Sequence, residues 1–151
     1  MYITYAVENI ADVREEMEPL TIIHWLELAN DQEDISLDFD WELYESLQAL
    51  GKLLFVTVRD DGKLVGYNAS LITNHMHYKT ILHGMTDFYW IHPNWRRGYI
   101  GIKFMKFVEA EMKKLGVKKI VTGCKDKHDT STLLRRLGYK LSDRIFTKVI
   151  D

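Results

Sequence analysis

Cysteine is nearly absent from this sequence, and long apolar runs are missing altogether. The one cysteine, Cys124, excludes a disulfide within the chain and is expected of a protein from a reducing compartment. No apolar run reaches the ~18 residues of a membrane-spanning helix, and the first residues lack the basic start and apolar core of a secretory signal. We therefore expect a cytoplasmic protein without a membrane partner.

The sequence has no large excess of either sign of charge. The chain has 20 lysines and arginines against 22 aspartates and glutamates, which gives a formal net charge of -2. Proteins that bind RNA or DNA need extended basic surface, because the phosphate backbone dominates their affinity. The charge balance therefore predicts no nucleic-acid partner.

The spacing of metal ligands is also missing. His75 and His77 can share one face of a strand. Zinc normally needs a third protein ligand, however, and neither a cysteine nor an HExxH pattern lies nearby. We expect polar connector residues here and no metal site.

Length and composition fit one folded unit. The 151 residues are 46% hydrophobic, which is ample for one core, and no repeat, linker or low-complexity tract interrupts them. We predict a single domain over residues 1–151.

Local patterns predict the elements of the first two thirds. Asn9 caps a helix that Pro19 interrupts, since proline lacks an N–H and crowds the preceding turn. A second helical segment, 21–29, has a pattern typical of burial on more than one side. Asp40 caps a helix over 41–50, and Asp60-Asp61-Gly62-Lys63 is typical of a hairpin. Alternating or β-branched runs predict four strands, at 2–7, 53–59, 64–73 and 81–91.

Residues 87–103 change from an apolar, aromatic strand pattern to a helical one, with a basic, glycine-containing turn between. The helix is indicated by apolar residues at three- and four-residue spacings: Phe104, Met105, Val108, Met112 and Leu115. A helix start leaves N–H groups without partners and can hold a phosphate, and Arg96 and Arg97 add charge-assisted hydrogen bonds. The turn is a candidate diphosphate cradle, although ordinary turn chemistry and solvated arginines produce the same pattern.

This turn resembles motif A of the GCN5-related N-acetyltransferase (GNAT) family, which runs from a strand through Pro-x-aromatic-Arg into (Gln/Arg)xxGx(Gly/Ala). Residues 93–101, Pro-Asn-Trp-Arg-Arg-Gly-Tyr-Ile-Gly, fill that frame with Arg96 first and Gly101 last. One departure is that the first motif glycine falls on Tyr99, with Gly98 one place early. Residues 134–139, Leu-Arg-Arg-Leu-Gly-Tyr, are similar to the end of motif B, and the short chain also resembles small phage-encoded members of the family.

The resemblance implies an α/β (α+β) fold: a central mixed, mostly antiparallel sheet of about six to seven strands, with helices on both faces. In the last third, Gly116 ends the helix, and residues 117–122 are typical of a parallel strand buried between neighbours. A short helix should begin after Asp129 or Thr130 and end at Arg136. Residues 139–141 and 145–149 are expected to form a final strand pair.

The resemblance also implies acetyl-CoA as the cofactor. In the family, the pantetheine arm enters a splay between two central strands and pairs with the main chain of the strand before motif A, and the diphosphate lies on the turn. The corresponding residues here are Tyr89, Trp90 and Ile91 for the arm, and Arg96, Arg97, Gly98, Tyr99, Ile100 and Gly101 for the diphosphate.

Acetyl transfer to an amine needs a base, because the attacking nitrogen must be neutral. Asp87 is the sole carboxylate of the strand before the turn, and it matches the place where many members carry a glutamate. We expect it to be half-buried among aromatic residues and to act directly or through water. The alternative is that Asp87 forms a cap or salt bridge at a strand kink.

An acid for the leaving thiolate is harder to assign. The family's usual tyrosine falls on Leu134, which cannot donate a proton. His128, Ser131 and Tyr139 are the candidates, unless coenzyme A leaves unprotonated. Covalent transfer through Cys124 is disfavoured, because the sequence fixes no histidine or aspartate beside it.

The acidic segment at residues 30–40 and the helix after it flank the acceptor site in the family. Asp38, Asp40 and Trp41 are therefore predicted to receive a cationic substrate. A solvated loop is the simpler alternative.

These features predict an acetyl-CoA-dependent N-acetyltransferase that acts on a primary amine of a small molecule, peptide or protein, as a monomer or homodimer. The alternative is a catalytically weak or inactive GNAT-like domain that inhibits a partner protein by binding it. The departures at Tyr99 and Leu134 keep this alternative open.

Overall fold

A five-stranded mixed sheet forms the centre of the computed structural model, which describes all 151 residues. In sheet order, its strands are β1 (Ile3–Val7), β2 (Leu53–Asp60), β3 (Lys63–His75), β4 (Tyr78–Ile91) and β5 (Lys119–Val121). The first four strands pair antiparallel, and β5 pairs parallel to β4. The expectation of a mixed, mostly antiparallel sheet is confirmed.

Four helices cover the two faces of this sheet: α1 (Ile10–Leu28), α2 (Trp41–Ala49), α3 (Ile100–Lys114) and α4 (Ser131–Arg136). A core cluster with Ile10, Val13 and Met17 joins α1 and α2 to one face. Phe104 and Val108 of α3 belong to a second cluster on the opposite face. None of the helices combines the length and apolar character that crossing a membrane requires.

The capping and turn predictions agree with the structure. The side chains of Asn9 and Asp40 accept hydrogen bonds from the backbone N–H groups of Ala11 and Leu43 at the starts of α1 and α2. Asp61 and Gly62 both have positive φ, at 48° and 86°. Two consecutive residues in the left-handed conformation match the right-handed twist of the flanking strands. For this reason residues 60–63, Asp-Asp-Gly-Lys, close the hairpin between β2 and β3.

The prediction that Pro19 interrupts the first helix is wrong, because α1 continues through it to Leu28. Pro19 lies on the exposed side of the helix, while Val13, Met17 and Thr21 are buried on the other. Burial of one continuous face offsets the roughly 3 kcal/mol that a proline costs inside a helix. The carboxyl-terminal half is not buried on several sides either, since Ile22 and Leu26 are exposed.

The predicted strand count is also wrong: the sheet has five strands rather than six or seven. No helix or strand forms after α4, so the expected pair at 139–141 and 145–149 is absent. β5 has only three residues and lies at the sheet edge instead of between neighbours. The alternating pattern of the last residues indicates a strand, but a strand also needs a partner, and the chain supplies none.

Gly66 is needed where β3 meets β4. A Cβ at this position would lie 2.8 Å from the backbone oxygen of Trp90, so Gly66→Ala forces the two strands apart. We expect a loss of about 1–3 kcal/mol of stability, or roughly 2–12 °C in Tm for a chain of this size. Thermal unfolding followed by circular dichroism measures it. Gly123→Ala is the matched control, because a Cβ there meets nothing within 4 Å, and equal Tm losses would contradict the argument.

Candidate active site

The strand β4 contains one residue more than the strand it pairs with. Ser70 of β3 lies opposite Thr86, whereas the adjacent Ala69 lies opposite Phe88. Asp87 is therefore the extra residue of a β-bulge, and such irregularities re-aim side chains next to functional sites. The bulge places the carboxylate of Asp87 on the face that α2 covers, where it accepts a hydrogen bond from Tyr44.

A gap opens beside β4 at the bulge. The parallel pairing with β5 extends only from His83 to Met85, so no strand pairs with the stretch from Thr86 to Ile91 on that side. His92 N–H donates to Val65 of β3, and main-chain groups alternate between the two sides of a strand. The main chains of Tyr89 and Ile91 therefore face the gap.

Trp90 does not share this orientation. By the same alternation, its main chain pairs with Tyr67 of β3, and its ring packs in the core under α1. Of the three residues predicted to pair with the pantetheine arm, Tyr89 and Ile91 thus face the gap and Trp90 does not. The carbonyl oxygen of Ile91 is already engaged by Arg96 Nε at 2.8 Å.

The turn that follows β4 leaves backbone amides free at the start of α3. It runs from a short 3-10 helix at Pro93–Trp95 to α3, with Gly98 at a φ of 58°. Four N–H groups of this turn and first helical turn donate no hydrogen bond within the protein: those of Gly98, Tyr99, Gly101 and Ile102. Unpaired N–H groups at the positive end of a 15-residue helix form an anion-binding site.

Two tyrosines shape this turn in different ways. A Cβ on Gly101 would lie 3.4 Å from the hydroxyl oxygen of Tyr89, so the small residue keeps the turn close to β4. Tyr99, which departs from the family pattern, has a side chain that is 71% exposed. Its ring lines a cavity of about 230 Å³ toward β1, together with Ile3 and Tyr5. The ring thus points away from the gap and does not fill the turn.

The two arginines of the turn have different surroundings. Arg97 is exposed, and its guanidinium forms no ion pair with a carboxylate. Arg96 is held inside the protein: its Nη1 and Nη2 donate to the two carboxylate oxygens of Glu27 on α1, at 2.7 and 2.5 Å. The sequence predicted both as diphosphate ligands. The structure instead places the charge of Arg96 against a carboxylate and leaves Arg97 as the free cation of the turn.

Sequence reasoning missed Glu27. Its carboxylate accepts hydrogen bonds from Arg96 and from Trp90 Nε1, the latter at 2.9 Å, and thereby joins α1 to β4 and the turn. The hydrogen bonds from Arg96, supported by that from Trp90, lower the pKa of Glu27 to about 2. An isolated glutamate on an amphipathic helix gives no sequence signal for this role, because its partners lie 63 and 69 residues away.

His24 is a second polar residue between α1 and β4, and its side chain is largely but not fully buried. Its ring stacks on Trp90 with centroids 5.4 Å apart, and Nδ1 forms a 3.1 Å hydrogen bond with the Tyr67 hydroxyl. Burial lowers the pKa of His24 to about 4. The ring is thus neutral at physiological pH and belongs to the packing under the site.

The depressed pKa of His24 predicts a pH-dependent stability. The unfolded chain binds a proton near the ordinary pKa of 6.5, whereas the folded chain resists it until about pH 4. Stability is therefore full above pH 6.5 and declines as pH falls toward 4, by up to about 3 kcal/mol. Urea unfolding at pH 7 and 4.5 measures the decline. His24→Phe should flatten it, whereas His77→Phe at the exposed hairpin end should not, and an unchanged slope in His24→Phe would contradict the assignment.

Asp87 is exposed, so the expectation of a half-buried acid is wrong. Its carboxylate accepts one side-chain hydrogen bond, from the hydroxyl of Tyr44. Burial, and next the nearby Asp87, raise the pKa of Tyr44, so the phenol keeps its proton and remains a donor. Tyr44 is a second functional candidate that the sequence did not reveal.

The candidate acids lie apart from one another. His128 is in the loop after β5, and its electrostatic influence is one of the smaller causes of the lowered pKa of Glu27. The hydroxyl of Tyr139 is buried without a hydrogen-bond partner beside Glu109, which is roughly 12 Å along α3 from Gly101 by helix rise. Burial, with the neighbouring Glu109, raises the pKa of this phenol. Of His128 and Tyr139, only His128 lies near Glu27.

Three further residues named from the sequence have no catalytic surroundings. Leu134 lies in α4 and supplies no proton. Ser131 N–H donates to Asp129 at the start of the same helix. Cys124 is exposed, and its Sγ lies 3.6 Å from a carboxylate oxygen of Asp129.

The predicted acceptor residues line one cavity of about 400 Å³ at the start of α2, together with Phe39, Glu42 and Arg14. Asp40 also caps α2, through Leu43 N–H. The guanidinium of Arg14 lies 5.2 Å from the centre of the Trp41 ring. Asp38, Asp40 and Trp41 thus come together as expected, beside a cation that the sequence analysis did not anticipate.

This cavity connects to Asp87 through a row of aromatic rings. Phe39 packs against Trp41 at 4.4 Å and against Tyr44 at 4.8 Å between centroids. Tyr44 in turn contacts Phe88 and the Asp87 carboxylate. The rings of Phe39 and Tyr44 therefore connect the acidic cavity to the Asp87 carboxylate on the α2 side of β4.

Solved structures share this architecture. A ribosomal-protein-alanine N-acetyltransferase from Brucella melitensis biovar Abortus 2308 has a TM-score of 0.72 at 17% identity, with 100% of this chain and 99% of that chain covered. Glucosamine-6-phosphate N-acetyltransferase from Arabidopsis thaliana gives 0.74 at 14%, with all of both chains covered. A predicted acetyltransferase from Clostridium acetobutylicum, solved with acetyl-CoA, gives 0.71 at 13%, with 98% and 96% covered.

At these identities the structural likeness establishes the fold alone. A search of curated proteins finds no significant match. The family comparison is more informative, since the profile of the Acetyltransferase (GNAT) family matches residues 12–139, which include the bulge, the gap and the glycine turn. The chain therefore belongs to the GNAT acetyltransferase family.

Proposed function

We propose that this protein transfers an acetyl group from acetyl-CoA to a primary amine of a small molecule, peptide or protein. The observation that carries the proposal is the gap beside β4, which runs from the Asp87 bulge to the free amides at the start of α3. A thioester arm and a diphosphate need these two features in this order. The Clostridium acetobutylicum structure of the same fold was solved with acetyl-CoA.

The residues present fit this cofactor. The main-chain N–H and C=O of Tyr89 and the N–H of Ile91 face the gap and suit the amides of a pantetheine arm. The free N–H groups of Gly98, Tyr99 and Gly101, with the guanidinium of Arg97, suit a diphosphate. Acetyl-CoA, when bound, supplies the acetyl group as an activated thioester.

Asp87 accepts a proton from the attacking amine in this proposal. A primary amine is mostly protonated at neutral pH and attacks only after losing that proton. The Asp87 carboxylate lies at the mouth of the gap and is oriented by the hydroxyl of Tyr44. Because Tyr44 keeps its proton, it donates one hydrogen bond to the carboxylate and fixes its direction.

The acidic cavity favours an acceptor that carries positive charge. Asp38, Asp40 and Glu42 supply three carboxylates against the single guanidinium of Arg14. Cations gather near such a surface, since unlike charges attract over about a Debye length of 8–10 Å at moderate salt. An amine held there is connected to Asp87 along the Phe39 and Tyr44 rings.

Cofactor binding is tested by thermal unfolding with and without acetyl-CoA. A ligand at 100 times its Kd adds about 2.7 kcal/mol, which corresponds to roughly 5–10 °C in Tm. Gly101→Val should reduce the shift, because its side chain meets the Tyr89 hydroxyl and fills the turn; Gly123→Val, in open space, should keep it. The absence of any shift at millimolar acetyl-CoA would refute the proposal.

Transfer itself is tested by release of free thiol over a panel of amines, peptides and diamines. We expect cationic acceptors to react faster than neutral or acidic ones. Binding of acetyl-CoA without thiol release on any amine would leave a coenzyme-binding module and exclude the transferase.

A further inference from the structure

The cavity at the start of α2 contains groups of both charges that do not pair with one another. Asp38, Asp40 and Glu42 belong to the segment that enters α2, whereas Arg14 reaches the cavity from α1. The only ion pair of Arg14 is with Glu18 on its own helix, at 3.0 Å. The positive and negative groups of the cavity are thus held apart.

Both kinds of charge are anchored by contacts with the protein. Arg14 Nε donates to Glu18, and the guanidinium lies 5.2 Å from the centre of the Trp41 ring, where a cation is attracted by the aromatic face. The carboxylate of Asp40 accepts a hydrogen bond from Leu43 N–H as the cap of α2. Because these contacts fix the groups in place, the space between them stays open to a ligand.

The guanidinium of Arg14 has free donors at this cavity. Only its Nε donates within the protein, so the N–H groups of Nη1 and Nη2 have no protein partner. Contact with a ring uses the face of a guanidinium and leaves its edge available, and two N–H groups on that edge bind a carboxylate through parallel hydrogen bonds. Of the three cavity carboxylates, only that of Asp40 accepts a hydrogen bond from the protein. The cavity therefore suits a ligand that carries a carboxylate and an ammonium group together.

We propose that the acceptor is a free α-amino acid with a second amine on its side chain, an inference that rests on the proposed acetyl transfer. The α-carboxylate binds Arg14, and the α-ammonium group binds Asp38 and Glu42. The side-chain amine extends toward Asp87 and receives the acetyl group. The cavity volume of about 400 Å³ lies within the range of small-molecule sites.

The direction of the side chain follows from the aromatic rings beside the cavity. The step from Asp40 to Tyr44 is about 6 Å along α2, which a short methylene chain spans, and the Tyr44 hydroxyl donates to Asp87. Phe39 lines the cavity and packs against Tyr44, so the methylenes have an apolar surface to contact. The side-chain nitrogen then bonds the acetyl carbon, the thioester C–S bond breaks, the proton of the nitrogen passes to Asp87, and coenzyme A leaves as the thiolate.

A free amino acid fits this cavity better than a peptide or a simple diamine does. Within a peptide, both α groups are in amide bonds and carry no charge, so Arg14 and the carboxylates would stay unpaired. A diamine would pair with the carboxylates alone and leave Arg14 without a partner. An amino acid with a second amine satisfies both and keeps the net positive charge that the acidic cavity favours.

Isothermal titration calorimetry at pH 7, without acetyl-CoA, tests the site with lysine, with cadaverine, which lacks the carboxylate, and with Nα-acetyl-lysine amide, which presents its amine as a peptide does. We expect lysine to bind roughly 10- to 100-fold more tightly than either, as hydrogen bonds between charged groups contribute. Arg14→Gln should lower the affinity for lysine to that for cadaverine. Lys79→Gln is the control, because it removes the same charge at an exposed position at the start of β4, and it should change neither affinity.

Three results would overturn the proposal: lysine binding that is undetectable, lysine binding no tighter than that of either other probe, or a lysine affinity that Arg14→Gln leaves unchanged. In the thiol-release assay, Arg14→Gln should raise the KM for lysine far more than the KM for cadaverine. Because binding is measured without the cofactor, the two proposals can fail separately. Lysine that binds through Arg14 but releases no thiol would refute the acetyl transfer and leave an amino-acid binding site.

Discussion

Asp87→Ala is expected to lower kcat by roughly 100- to 10,000-fold, the usual contribution of a general base, with little change in acetyl-CoA binding. The carboxylate is exposed at the bulge and lies apart from the core, so its loss should not unfold the protein. Steady-state thiol release, together with the acetyl-CoA thermal shift, separates the two effects.

Asp87→Asn distinguishes a base from a structural acceptor. The amide oxygen still accepts the hydrogen bond from Tyr44, but it binds no proton at neutral pH. If the Asp87→Asn variant kept full turnover, the carboxylate would be a positioning group and not the base. Tyr44→Phe should cause a smaller loss, because it leaves the carboxylate in place and removes only its orientation.

Arg96→Ala is expected to have the largest effect on stability. It removes the partner of Glu27, whose side chain is only 28% exposed, and breaking such a pair from one side costs roughly 3–5 kcal/mol. That corresponds to about 6–20 °C in Tm for a chain of this size. Chemical denaturation of the variant and wild type at pH 7 measures the loss.

Two controls define the origin of this loss. Removing both charges, in Glu27→Gln with Arg96→Met, should cost less than Arg96→Ala alone, since no uncompensated carboxylate remains. Arg97→Ala, on the outer side of the turn, should leave stability within about 0.5 kcal/mol but weaken acetyl-CoA binding. Equal losses from the single and double changes would show that packing of the arginine, and not its charge, matters.

The same pair has a defined pH dependence. The folded pKa of Glu27, about 2, lies below its ordinary value of 4.5, so the stabilisation is full above pH 4.5 and disappears as pH falls through 2. The deficit of Arg96→Ala relative to the wild type should therefore shrink on acidification across this window. A deficit that stays constant from pH 5 to 2 would contradict the ion-pair explanation.

The elements that were predicted correctly are those with local signals. The glycine turn, the α3 pattern from Phe104 to Met112 and the cap at Asp40 all lie within a few residues of the features that specify them. The spacing of these residues locates the elements, whereas the cofactor role of the turn and the role of Asp87 were implied by the family resemblance and stay predictions.

The residues that sequence reasoning missed depend on contacts between distant segments. Glu27 meets Arg96 from 69 residues away, and Tyr44 meets Asp87 from 43. Neither spacing carries a periodic signal, so only the packing of α1 and α2 on the sheet reveals them. The prediction of an interrupted helix at Pro19 failed for the same reason, because a buried face outweighed a local preference.

The bulge in β4 has a consequence for how this sheet tolerates change in chain length. On either side of Asp87 the two strands keep their pairing, with Thr86 opposite Ser70 and Phe88 opposite Ala69. Deleting Asp87 would therefore regularise the ladder without reversing any side chain, whereas a deletion elsewhere in β4 would turn part of the strand inside out. Asp87, the proposed base, is thus an addition to a framework that is complete without it, and we expect a one-codon deletion of Asp87 to abolish the proposed activity while the fold is kept.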